Sequence, residues 1–173
     1  MKIKIILSIA VITLLWSCKS NSENDKVSVE AAEKWLYAIF QCPNGNGFCF
    51  PEWGGDDKLY TKRFLEFYNE AIELYSFWAE DNYDSEEALE QARAQYKKKW
   101  ASVYNPVKED DINVFGTGNG DVDKLEDLKI KHLKDLSFNV FIDYGEVKTS
   151  SDVILVKNGD SFQIDYMNTN FID

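Results

Sequence analysis

The spacing between apolar residues changes period about halfway along this chain, and that switch restricts the fold more than any other feature. In the first half, apolar residues recur at steps of three and four, which places them on one face of a helix. Val29, Ala32, Leu36 and Ile39/Phe40 make the first stripe, with Ser28 as a cap and Glu30 in the first turn. A second helix is predicted from about Tyr60 to Glu80, its face formed by Phe64, Tyr68, Ala71/Ile72, Tyr75 and Trp78. A third follows Asp84, which with Glu87 three residues on reads as a capping box. Leu89, Ala92, Tyr96, Trp100 and Val103 form its stripe. Lys97, Lys98 and Lys99 fall where the helix dipole favours cations, and Asn105-Pro106 stops the helix.

The second half alternates with a step of two. Ile112/Val114, Leu128/Ile130/His132, Phe138/Val140/Ile142/Tyr144, Val153/Leu155 and Phe162/Ile164/Tyr166 read as strands, and Asn158-Gly159 marks a hairpin between the last two. Helices followed by an antiparallel meander make an α+β pattern, with the N-terminal helices packed on one face of the sheet. The chain has 173 residues, 45% of them hydrophobic, and residues 27–173 are expected to form one domain with a real core.

The N-terminus reads as an address. Lys2 and Lys4 precede an apolar run from Ile5 to Leu15, the length of a secretory signal and too short to span a bilayer. Leu15-Trp16-Ser17-Cys18 resembles a bacterial lipobox, with Trp16 an unusual residue two before the cysteine. The resemblance implies a signal peptide over residues 1–17, cleavage before Cys18, and a diacylglycerol (with palmitate-type chains) on its thiol. Lys19 to Lys26 contains no apolar residue and reads as a tether over 18–26. The expected place is the cell envelope, anchored by lipid, and Lys19 after the cysteine resembles signals sorted to an outer membrane. The formal net charge is −11, and loss of Lys2 and Lys4 with the signal takes it to −13. That balance argues against nucleic acid, whose binding needs a basic face, and against electrostatic docking on anionic lipid.

Lipidation would leave Cys42 and Cys49, separated by Pro43-Asn44-Gly45-Asn46-Gly47-Phe48, a turn-forming stretch. A disulfide is expected, and it would stabilise the fold by about 2.5 kcal/mol through the small loop it closes. Free thiols are the alternative. The spacing is not the C-x-x-C of a redox pair, and zinc would need two further ligands. Phe48, Phe50 and Trp53 lie in or beside this loop, where they either cover the core or form a binding surface.

The helix start Leu59-Tyr60-Thr61-Lys62-Arg63-Phe64 and the run from Leu155 to Asp165, with its Asn158-Gly159 turn and closing Ile164-Asp165, resemble the nuclear-transport-factor-2-like superfamily. Within it, the chain is similar to secreted bacterial proteins of unknown function. Phe162 stands where tryptophan is commoner. The resemblance covers roughly residues 27–171 and implies a cone, a curved antiparallel sheet wrapped on helices with a pocket at its wide end. Enzymes of that fold place an Asp-His pair or paired acids in the cone, but the fold implies no activity by itself.

Little in the sequence carries chemistry. His132 is the only histidine, and its parity with Leu128 and Ile130 points it towards the core. Asp143 and Asp165 have the opposite parity to their apolar neighbours and are expected to face solvent. Asn119, Gly120, Asp123 and Glu126 match the back half of a calcium loop, but Phe115 occupies its first ligand position, so a polar turn is the plainer account. No catalytic residue, metal or cofactor is therefore assigned. The expected function is a non-catalytic envelope binding module for a protein or small ligand, acting through the cone mouth and the loop at Phe48, Phe50 and Trp53. One form of it is an immunity protein against an envelope-acting toxin. The alternative is a pocket enzyme, which requires an inward-facing acid or base.

Overall fold

The computed structural model describes residues 28–51, 58–76, 78–105, 115 and 125–172. Cys18, Trp53, the Ile112/Val114 alternation and the part of the calcium-like loop between Phe115 and Leu125 lie outside these residues.

Helix α1 occupies residues 28–39 and turns its predicted stripe inward, with Ala32, Leu36 and then Phe40 fully buried. Ser28 is itself helical, so it does not serve as the cap, a position that requires non-helical backbone. Helix α2 spans Lys62–Tyr75 and is capped by Thr61, whose Oγ1 accepts from the Phe64 amide at 3.1 Å. It ends five residues before the predicted Glu80, and the chain continues through a short 3₁₀ turn, Ala79–Asn82. Its buried face is Phe64, Phe67, Ala71 and Leu74, whereas Trp78 is 56% exposed. The predicted and observed faces share the three-four step and differ by a small rotation. The set without hydroxyls takes the innermost position, because a buried tyrosine must also satisfy its O–H. Helix α3, Glu86–Trp100, is capped by Ser85 rather than Asp84, with Ser85 Oγ accepting from the Ala88 amide at 3.2 Å. It buries Leu89, Tyr96 and Trp100 and carries Lys97, Lys98 and Lys99 in its last turn.

Strands β1 (Asp127–Lys134), β2 (Ser137–Asp143), β3 (Lys148–Asn158) and β4 (Ser161–Ile172) form an antiparallel sheet in the order β1-β2-β3-β4. The α+β class is as predicted. Phe138, Val140, Ile142, Val153 and Ile164 on the sheet's inner face are essentially fully buried and share one core cluster with the helix stripes. The β3–β4 turn falls one residue later than the Asn158-Gly159 pair suggests. Asn158 pairs with Ser161, and Gly159 supplies the positive φ (61°) that the tight turn requires.

Two departures from simple alternation matter. Ile164 pairs with Leu155 and Tyr166 with Ile154, so Asp165 is an extra residue opposite no partner, a β-bulge. Before it Phe162 and Ile164 point inward; after it Met167 and Thr169 do, and Tyr166 is only half-buried. In addition, β3 buries Thr149 and Ser151, which alternation of apolar residues does not mark. Ser151 and Thr169 satisfy each other at 2.8 Å, and Thr149 Oγ1 donates to the Phe115 carbonyl at 2.9 Å.

Candidate functional site

The segment ahead of α2 runs along the free edge of β4. Ile164 N–H donates to the Leu59 carbonyl at 2.8 Å, and Thr61 N–H donates to the Ile164 carbonyl at 2.9 Å, a short parallel pairing centred on Tyr60. This pairing stops at the bulge and sets the first residues of α2 against Asp165.

Asp165, expected at the surface, is 7% exposed. The bulge is the reason: an extra residue in one strand turns its side chain away from the alternating pattern. Three donors converge on its carboxylate. Thr61 Oγ1 donates to Oδ1 at 2.7 Å, the Arg63 guanidinium pairs with Oδ2 through Nη2, and the Tyr104 hydroxyl donates to Oδ1 at 3.3 Å. Tyr104 also accepts from Arg63 Nε at 2.9 Å, which closes the network. Thr61 thus uses one oxygen twice, as acceptor for the helix cap and as donor to the acid. The cap position also places the carboxylate at the positive end of α2.

Tyr104 reaches the cluster from the turn after α3, where its amide donates to the Trp100 carbonyl at 2.8 Å. Its ring stacks on Tyr166 with centroids 5.2 Å apart and planes 10° from parallel, and it also lies 4.8 Å from Phe67. Burial, and then the negative charge of Asp165, hold the Tyr104 hydroxyl above its ordinary pKa. The hydrogen bond to Asp165 likewise raises the pKa of Arg63.

An open cleft of about 490 Å³ borders this cluster. Arg63, Tyr104 and Asp165 supply its polar groups; Val103, Ile154 and Tyr166 supply apolar surface. Val103 is 45% and Ile154 41% exposed, so aliphatic surface lies open beside the charged pair. The two charges differ sharply in exposure: the Arg63 side chain keeps 55% of its surface and that of Asp165 only 10%. All three bonds to the carboxylate come from within the protein, and together they hold the guanidinium in place.

The other candidates lie elsewhere. Cys42 and Cys49 form the expected disulfide, with Cα atoms 4.8 Å apart. The loop is further tied by Cys49 N–H to the Phe40 carbonyl at 2.7 Å and Cys42 N–H to the Gly47 carbonyl at 3.2 Å. Phe48 and Phe50 are half-buried, with Phe48 6.1 Å from the Tyr37 ring and Phe50 6.5 Å from Phe115. Each therefore rests one side on the core and keeps part of its surface in solvent. His132 is exposed at the end of β1, contrary to its parity; its ring lies 5.4 Å from Phe138, and Nε2 sits 2.9 Å from the Asp135 carbonyl. The register shift after His132 and the turn at Asp135 (φ 47°) end regular alternation there. Asp143 is half-buried and pairs with Lys148 Nζ at 2.9 Å. Among the described residues no three acidic, histidine or cysteine side chains cluster as metal ligands, and no helix is long and apolar enough to cross a membrane.

Sequence reading thus missed Thr61, Arg63, Tyr104 and the inward aim of Asp165. The available trace is the change of apolar parity from Phe162 and Ile164 to Met167. No family model, curated protein or solved structure matches the chain.

Proposed function

We propose that this chain is a lipid-anchored module of the cell envelope that binds its ligand without transforming it, in the cleft beside the β4 bulge. The observation that carries the reading is Arg63. Its side chain is more than half exposed, yet a buried carboxylate and a tyrosine hydroxyl fix the orientation of its guanidinium. A donor held in place before binding loses little freedom when a ligand arrives. The exposed Val103 and Ile154 beside it offer apolar surface that a ligand would remove from water.

The address rests on the order of basic residues, apolar run and Ser17-Cys18 in the sequence. The finer fold reading, a nuclear-transport-factor-2-like cone, rests on the quoted motifs together with helices and a meander sharing one core. The disulfide loop is assigned to protein contact, as an immunity-type partner would require, because Phe48 and Phe50 keep exposed surface on a stapled loop.

The test is native mass spectrometry of the full chain extracted from its own membranes. Acyl chains on Cys18 and a bound small molecule are expected. Ile154→Asp should lose that molecule with an unchanged melting curve. A chain without acyl mass overturns the anchor, and retention of the molecule by Ile154→Asp overturns the cleft. A pocket-enzyme reading has one observation in its favour: Asp165 is the inward acid such an enzyme needs. Conversion of the bound molecule on incubation, abolished by Asp165→Asn, would put that reading first.

A further inference from the structure

We infer that the ligand of this cleft carries a single carboxylate on an apolar body. The inference rests on the cleft being the binding site, and it follows from how the guanidinium is used. Arg63 spends Nε on Tyr104 and one hydrogen of Nη2 on Asp165. Nη1 makes no hydrogen bond among the described residues. The open end of the fork is therefore Nη1 with the second Nη2 hydrogen, two parallel donors whose spacing matches the oxygens of a carboxylate.

Charge sets the number of carboxylates. Arg63 is the one cation among the described residues that line the cleft, and Asp165 already faces it. The Thr61 and Tyr104 hydroxyls and the start of α2 share the Asp165 charge, so the guanidinium keeps part of its pull. That remainder suits one negative charge. A dianion such as phosphate would meet one half-compensated cation on a chain of net charge −11.

Shape and polarity set the body. Val103 and Ile154 present aliphatic surface and Tyr166 a ring backed by Tyr104. The volume of about 490 Å³ lies in the range of small-molecule sites, about 300–1,000 Å³. A flat or branched apolar group placed there buries those side chains while its carboxylate reaches Arg63.

The test uses phenylacetate, phenylacetamide and inorganic phosphate, titrated into the full chain while the amide resonances of residues 101–105 and 165–166 are followed. Phenylacetate should shift them saturably, phenylacetamide should bind about tenfold more weakly, and phosphate should leave them still. Arg63→Gln should bring phenylacetate down to the level of the amide, and Arg63→Lys should restore only part of the difference. Equal binding of acid and amide overturns the carboxylate and leaves the cleft intact as a site. Phosphate binding more tightly than phenylacetate overturns the single charge. No shift with any probe overturns both this inference and the cleft. Should Arg63→Gln fail to fold, the uncharged Val103→Asn replaces it: weakened phenylacetate binding supports the apolar body, and unchanged binding overturns it.

Discussion

Asp143 on β2 and Asp165 on β4 are both strand carboxylates facing a basic side chain, and their surroundings diverge completely. Asp143 lies in register between Asp127 and Lys148, and its partners are local: Lys148 Nζ at 2.9 Å and the Gly145 amide at 2.8 Å. Asp165 is out of register, and its partners come from residues 61, 63 and 104. The first arrangement closes a hairpin and stays in contact with water. The second ties the start of α2, the turn after α3 and the middle of β4 to one buried group. A single inserted residue therefore turns an ordinary surface acid into the organiser of a site.

If that contrast is right, truncation separates the two positions widely. Asp165→Ala should lower unfolding free energy by about 2–3 kcal/mol in urea, because it strands the Thr61 and Tyr104 hydroxyls. The figure lies below that for a fully buried pair, since the exposed Arg63 can turn to water. Asp143→Ala should shift the urea midpoint far less, because its partner Lys148 is about half exposed and can turn to water. Equal losses at both positions would break the comparison.

Thr61→Ala comes next, at about 1–2 kcal/mol, because it removes a helix cap and a bond to Asp165 together. Combined with Asp165→Ala it should cost less than the sum of the two single losses, and additive losses would mean the hydroxyl and acid are not coupled. Gly145→Ala should cost about 1 kcal/mol. The position has φ 93°, and a Cβ there would sit 3.0 Å from Glu126 Oε1. A neutral result in a thermal melt would show that the turn beside Asp143 adapts.

The smallest effect is in titration. Lys148, and then the Gly145 amide, hold the Asp143 carboxyl below its ordinary pKa of 3.8. Its contribution is thus present above that value and lost as pH falls through the lower folded value. The matching rise at Lys148 contributes below 10.5 and fades as pH climbs through the higher folded value. Carbon-detected NMR should find the Asp143 transition below pH 3.8, moving back up in Lys148→Gln. A transition unmoved by that substitution would remove the ion pair from the account.

What the sequence reveals depends on whether one period governs a segment. The α1 stripe and the inward faces of β2 and β3 at Phe138, Val140, Ile142, Val153 and Leu155 are legible because nothing interrupts their repeat. The disulfide is legible because its turn is local. In α2 two phases satisfy the same step, so Tyr68 and Tyr75 compete with Phe67 and Leu74, and only packing decides. The site is not legible, because its aim depends on a bulge that no period announces and on a helix cap 104 positions away in the chain. Tyr104 lies beyond the end of its helix, where no period applies.

Thr61 Oγ1 joins two bonds, one to a residue three positions away and one to a residue 104 positions away. Opening the first turn of α2 frees the hydroxyl from the Phe64 amide, and slackening β4 at the bulge removes the acceptor that orients it. In the language of hydrogen exchange, these two stretches are expected to open as one unit despite their separation along the chain. Because Arg63 and Asp165 both border the cleft, solvent entry there and exchange of the Phe64 amide should rise and fall together. On the proposed reading, a ligand in the cleft is expected to slow the fraying of a helix end, seen as slower exchange of the Phe64 amide.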